Sequence, residues 1–237
     1  MIDDPTILVP VDASNPEEPA LDLVDVLRPL RIVVLGYYPV PDQAPPSQIR
    51  EAYEQEATDV LETSVRQFVA AGADIEPVLV FTRDRVQTTD RVANEYDCDA
   101  VLVPGRVESL EHVLVSLKDE QNMFRVLEVV GLLMEAGAPE VTLYHAESIE
   151  KGSAKSELYL RGATDWLVER GLDRERIAWR EPTAETQQSE LLELAEEHDF
   201  LVTGESEPGV RERVLGDIPN RVRDRTGKPV LIVRKER

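Results

Sequence analysis

Three glycines and three carboxylates share one short stretch of this chain. Gly204, Gly209 and Gly216 follow an apolar run, Phe200 to Val202, and precede an arginine-containing helix that carries the chain to Gly227. Glycine lets backbone approach a ligand closely, and amides at a helix N-terminus point toward negative charge, so this order of elements can hold phosphate. Turn and helix-end geometry accounts for the same glycines. Glu205, Glu207 and Asp217 oppose phosphate, each by up to about 4 kcal/mol at ~4 Å in a surface-like dielectric. Three further candidates end apolar runs in the same way: Asp12 after Thr6 to Val11, Gly105 after Ala100 to Val103, and Lys118 after His112 to Leu117. Asp12 is either a ligand group or an acid helped by the dipole of the helix it precedes. Lys118 pairs either with an acid such as Asp119 or with an anion.

Other chemistry has less support, with an enzyme such as a nucleotide hydrolase the least favoured of the classes left open. Ser206 has no Gly-x-Ser-x-Gly surroundings and no downstream histidine to act as base, which argues against a hydrolase. His112, His145 and His198 have neither cysteine partners nor helical metal spacing, so no metal site is expected, and His145 reads as a packed strand residue. The single Cys98 makes no internal disulfide. With 47 acidic against 26 basic residues and a net charge of −21, the chain is a poor partner for nucleic acid. Only five of the basic residues are lysines, at 118, 151, 155, 228 and 235, and this profile fits a high-salt cytosol in which self-repulsion is screened. From Val210 to Arg237 the balance reverses, nine basic to four acidic, which makes either a solvated face or a patch for an anion or an acidic surface. No apolar run approaches the ~20 residues of a membrane span, and the start has no basic or apolar leader, so a soluble cytoplasmic protein is expected.

The elements that must position these residues alternate strand and helix. Thr6 to Asp12 is a strand, Ser14-Asn-Pro-Glu17 has the form of a capping box, and Ala20, Leu21, Leu23, Val24, Val26 and Leu27 give the next helix a buried stripe. Shifted by 106 positions, Ile7 to Val9 fall on Val113 to Val115, and that stripe falls on Val126, Leu127, Val129, Val130, Leu132 and Leu133. The match points to an internal repeat. Long helices are predicted from Ser47 to Ala71, ended by Gly72, and from Ala154 to Arg170, ended by Gly171. Strands follow at Pro77 to Phe81 and Arg176 to Trp179, then helices near Val86 to Tyr96 and Thr183 to Glu197. Between Gly105 and His112 there is no room for a further helix and strand, so residues 1–109 have four strands and residues 110–237 have five. Parallel strands with helices on both faces place ligands outside the strand C-termini, where the first and fourth strands diverge. That brings Asp12 to Gly105 in one half and Lys118 to Gly204 in the other.

The stretch Asp199 to Val233 resembles the C-terminal third of the universal stress protein family, in which a strand ends in Gly-x2-Gly-x9-Gly-Ser/Thr before a short helix and a Pro-Val-Leu-Val-Val strand. Leu143-Tyr144-His145 resembles the family's second strand. The resemblance implies two tandem doubly wound α/β domains of the flavodoxin-like, HUP type. In that family the acid ending the first strand lies beside the adenosine and the glycine loop holds phosphate. Here the loop is one residue short, Asp217 stands where the family has a hydroxyl, Asp12 is not accompanied by a glycine loop, and Lys118 replaces the acid in the half that keeps one. The expectation is a non-enzymatic, stress-associated tandem scaffold with degenerate nucleotide sites at Asp12, Gly105, Lys118, Gly204, Gly209 and Gly216. The alternative is a binder of adenine nucleotide, ATP or AMP, or of another anion. The final strand, Pro229 to Val233, is expected at the sheet edge beyond the fourth strand; it is the family's usual dimer contact, so a homodimer through Pro229 to Val233 is expected.

Overall fold

The computed structural model describes residues 4–16, 21–107, 109–118, 120–136, 140–145, 153–181, 187–205 and 217–235. Gly209 and Gly216 lie outside them. The strands are β1 (Thr6–Asp12), β2 (Arg31–Pro39), β3 (Ile75–Thr82), β4 (Ala100–Val103), β5 (His112–Leu117), β6 (Glu140–His145), β7 (Ile177–Arg180), β8 (Phe200–Gly204) and β9 (Val230–Val233). Between them run α1 (Leu21–Leu27), α2 (Pro46–Ala70), α3 (Arg85–Glu95), α4 (Glu120–Glu135), α5 (Ser153–Glu169), α6 (Gln187–Glu197) and α7 (Asp217–Thr226). The predicted elements are found within a few residues of their expected ends. Gly72 and Gly171, at φ 86° and 90°, sit just past α2 and α5 in the left-handed conformation that stops a helix.

All nine strands form one sheet in the order β3-β2-β1-β4-β9-β8-β5-β6-β7. Every neighbouring pair is parallel except β4 and β9, which run antiparallel from Ala100↔Val233 to Val103↔Val230. This corrects the expectation that β9 lies at a sheet edge. Its other side pairs with β8, so both edges of β9 are taken within the chain and the contact expected through Pro229 to Val233 is not open to a second copy. β5 pairs with β6 and β8, not with β4, much as β1 pairs with β2 and β4.

Both faces of the sheet are covered, which is why its strands are continuously apolar rather than alternating. Ile7, Val9 and Val11 pack with α1, α2, α4 and α5 in one layer that continues across the β4–β9 junction through Leu102, Leu231 and Val233. On the opposite face Leu8, Val33 and Val101 meet Val92 and Ala93 of α3, while Leu114, Val230 and Ile232 meet α6 and Val222 of α7.

Among the described residues, the cations after Val210 do not form one surface. Arg225 pairs with Glu196 at 2.5 Å. Arg234 is buried and donates to Cys98 O at 3.2 Å and to Asn94 Oδ1 at 2.5 Å, while Arg125 joins Asp99 at 2.8 Å, so these side chains tie α3 and α4 across the β4–β9 junction. The Lys228 ammonium donates to the carbonyls of Ala195, Glu196 and His198 at the end of α6, a favourable place for a cation.

His198, beside that cap, makes a 2.7 Å hydrogen bond from Nδ1 to Leu194 O. Burial holds its pKa below the ordinary value, and the nearby Lys228 and His112 add to the lowering, against the Leu194 bond. An unfolded chain therefore takes up this proton at a higher pH than the folded one. The stability held by neutral His198 is complete above about pH 6.5 and is lost as the pH falls through the folded value. Melting temperature should drop on acidification in that window, and His198→Gln should drop less; equal slopes for the two chains would remove His198 as the cause.

Candidate functional site

β1 pairs with β4 only at Ile7↔Ala100 and Leu8↔Val101, although β1 runs on to Asp12. Beyond that point lies Pro10, which has no N–H to offer a ladder. The two strands part there, and a cavity of about 150 Å³ opens at their C-terminal ends. A smaller hollow of about 30 Å³ lies against it, sharing Pro10, Tyr37, Arg85, Leu102, Pro104 and Arg223.

Its floor is apolar: Val9, Val11, Leu23, Phe68 and Leu102, from both strands and from α1 and α2. Four elements supply polar groups to the larger cavity. Asp12 ends β1, and its Oδ1 accepts from Ser14 N at 2.9 Å, Ser14 Oγ at 2.7 Å and Asn15 N at 3.2 Å, so it holds the turn leading to α1. Tyr37 stands on the neighbouring β2 and is buried. Burial pushes its phenol above the ordinary value; the Arg85 hydrogen bond pulls it back, and Asp12 adds to the rise. Arg85 opens α3, reaches Tyr37 Oη at 3.4 Å, and lies 5.8 Å from the Tyr37 ring centre. Arg223 comes from α7, beyond the β4–β9 junction, and donates from Nε to Pro104 O at 3.1 Å.

The expected pairing of Asp12 with Gly105 is found: both line this cavity. Gly105, however, is glycine for a packing reason. A Cβ there would fall well inside 3.0 Å of Lys228 C, Lys228 O and Pro229 N, all backbone atoms. The peptide entering β9 thus occupies the side of Gly105 where a phosphate would need backbone access. Lys118 and Gly204 are likewise brought to one edge, but the opposite one, because the antiparallel β4–β9 pair reverses the direction of β5 and β8 relative to β1. A Cβ on Gly204 would lie 2.6 Å from Asn122 Nδ2, which donates to Val233 O at 3.1 Å. The buried Asn122 side chain fills the space against this glycine.

Sequence reasoning missed Tyr37, Arg85 and Arg223. The proline inside the β1 run and the arginine opening α3 were visible signals; the arrival of Arg223 depends on the antiparallel junction, which has no sequence signature. His145 is packed as expected: it is buried, with Nδ1 3.0 Å from Ser156 Oγ and its ring 4.4 Å from that of Tyr159. Among the described residues there is no cluster of three metal-ligating side chains, and no helix is long and apolar enough to cross a membrane. Burial, with Asp99 next in effect, pushes the Cys98 thiol up to about 12, far from nucleophilic.

The fold is thus a doubly wound α/β sheet with a crevice where β1 and β4 diverge, the place at which such sheets receive ligands. Among solved structures the chain resembles a universal stress protein from Archaeoglobus fulgidus, with a TM-score of 0.68 at 17% identity over 97% of this chain and 96% of that one. It also resembles a putative universal stress protein from Pseudomonas aeruginosa UCBPP-PA14 (TM-score 0.55, 12% identity, 97% and 93% covered). A functionally unknown protein from Pseudomonas aeruginosa PAO1 is similar to the same extent (TM-score 0.54, 14% identity, 97% and 92% covered). No family model and no curated protein matches the sequence.

Proposed function

We propose that the chain is a tandem universal stress protein-like protein of a salt-rich cytosol, with halves 1–109 and 110–237, and that it binds a small adenine nucleotide without transforming it. The observation that carries this reading is the cavity between β1 and β4, apolar at its floor and bearing Asp12, Tyr37, Arg85 and Arg223. At about 150 Å³ it is smaller than the ~300–1,000 Å³ of sites that enclose a drug-sized ligand. It suits one flat ring, with the remainder of the ligand in the open mouth. The second half acts as scaffold: Asn122 closes the space at Gly204, and the repeat in sequence supports two copies of one ancestral unit. The groups in the cavity hold and orient; none is a poised nucleophile with a base beside it.

Thermal melting of the purified chain in concentrated KCl, with and without AMP, ADP or ATP, tests the proposal. A ligand at ~100 times its Kd stabilises the fold by about 2.7 kcal/mol, enough to shift the melting temperature. No shift with any of the three would leave the chain a scaffold in both halves, and turnover of added nucleotide would make it an enzyme.

A further inference from the structure

Although the chain has 47 acids and 26 bases, several of its described cations, Arg66, Arg83 and Arg174 among them, have no carboxylate within ion-pair distance and bond to backbone oxygens. Arg85 and Arg223 line one cavity. Among the described residues, no acid lies within ion-pair distance of either. Arg223 uses Nε on Pro104 O, and Arg85 makes only the long contact with Tyr37 Oη, so most of the N–H groups of both guanidiniums remain for a ligand. Arg223 is held in place rather than loose, since its neighbour on α7, Val222, is buried against the sheet and Arg106 N donates to Gly227 O at 2.8 Å just beyond the helix.

We infer that the cavity is a composite site in which Arg223, from beyond the β4–β9 junction, and Arg85 together clamp a single phosphate, making it selective for a nucleoside monophosphate. This rests on the proposed nucleotide reading and adds to it the group that reads the phosphate. Planar guanidiniums match phosphate bidentately and need no glycine loop. The backbone of Lys228 and Pro229 closes the approach at Gly105, so the charge of the phosphate is met by side chains instead. Two guanidiniums balance one phosphomonoester, which carries about −1.5 to −2 at neutral pH. A second or third phosphate would find no further cation among the described residues that line the cavity and would face Asp12 and the field of a −21 chain.

The test is calorimetric titration of the full chain with AMP, adenosine and ATP in one KCl buffer containing EDTA. AMP should bind about 10- to 100-fold more tightly than adenosine, and more tightly than ATP. Arg223→Gln should bring AMP to the adenosine level while leaving adenosine unchanged, and Arg85→Gln should act in the same direction. Arg225→Gln, on the same helix but directed to Glu196, should keep the preference for AMP. Should Arg223→Gln not fold, Arg223→Lys, which keeps the charge but loses the fork, should still narrow the AMP preference. Equal binding of AMP and adenosine by the unaltered chain, tighter binding of ATP, or an AMP preference that survives loss of Arg223 overturns the inference while leaving the nucleotide reading in place. No binding of AMP, adenosine or ATP overturns both.

Discussion

Leu231→Ala is expected to cost about 2–5 kcal/mol of unfolding free energy, the range for emptying a fully buried leucine position. Leu231 has no exposure and sits in the middle of β9, paired to Val202 on one side and Leu102 on the other. The cavity would open at the centre of the nine-stranded sheet, in the apolar layer shared by both sides of the junction, where neighbouring side chains have least freedom to collapse. Leu158→Ala, at a position 71% exposed on α5, is the control and should stay within about 0.5 kcal/mol. Urea unfolding with tryptophan fluorescence and circular dichroism measures both. A Leu231→Ala loss below about 1 kcal/mol would mean that β9 is not the central strand described here.

Gly105→Ala is expected to destabilise the protein by about 3 kcal/mol, the upper part of the range for adding a methyl group to a packed site. The added carbon meets backbone at Lys228 and Pro229, not the end of a side chain that can swing away. Relief requires the Pro104–Gly105 turn to move from the start of β9, and the Arg223 contact with Pro104 O moves with it. A glycine kept for phosphate contact would show the opposite pattern, with binding lost and the ligand-free melting temperature retained. Melting of the ligand-free variant separates the two, and an unchanged temperature would contradict the packing role.

Much of the fold was legible because its signals are local. Continuous apolar runs such as Ile32 to Leu35 mark strands buried on both faces, and Gly72 and Gly171 mark helix ends whose left-handed backbone other residues adopt reluctantly. The shift that superposes Ile7 to Val9 on Val113 to Val115 matches two strands that each lie between two parallel neighbours. What could not be read was how β9 completes the sheet. Pro229 to Val233 has the same apolar composition whether its edge meets another chain or β4, because ladder bonds are made by backbone and leave no mark on side-chain type. The site was legible in proportion. Asp12 and Gly105 follow from strand ends, but Gly105 was read as a ligand-facing glycine when its neighbour is the peptide of Lys228 and Pro229. Arg223 could be counted among the cations near the C-terminal end; its position in a cavity formed over 100 residues earlier could not.

The antiparallel pairing of β4 with β9 also sets a timetable for synthesis. β4 ends at Val103 and β9 begins at Val230, 127 positions later by subtraction. At roughly 5–20 residues per second, a ribosome needs about 6–25 s to make the intervening chain. During that interval Ala100 to Val103, buried and apolar in the finished molecule, has one edge with no strand beside it. Such an edge is a template for pairing with any extended segment nearby. Translation rate and chaperone access over those seconds therefore bear on yield, because β4 is made long before the strand that covers its edge.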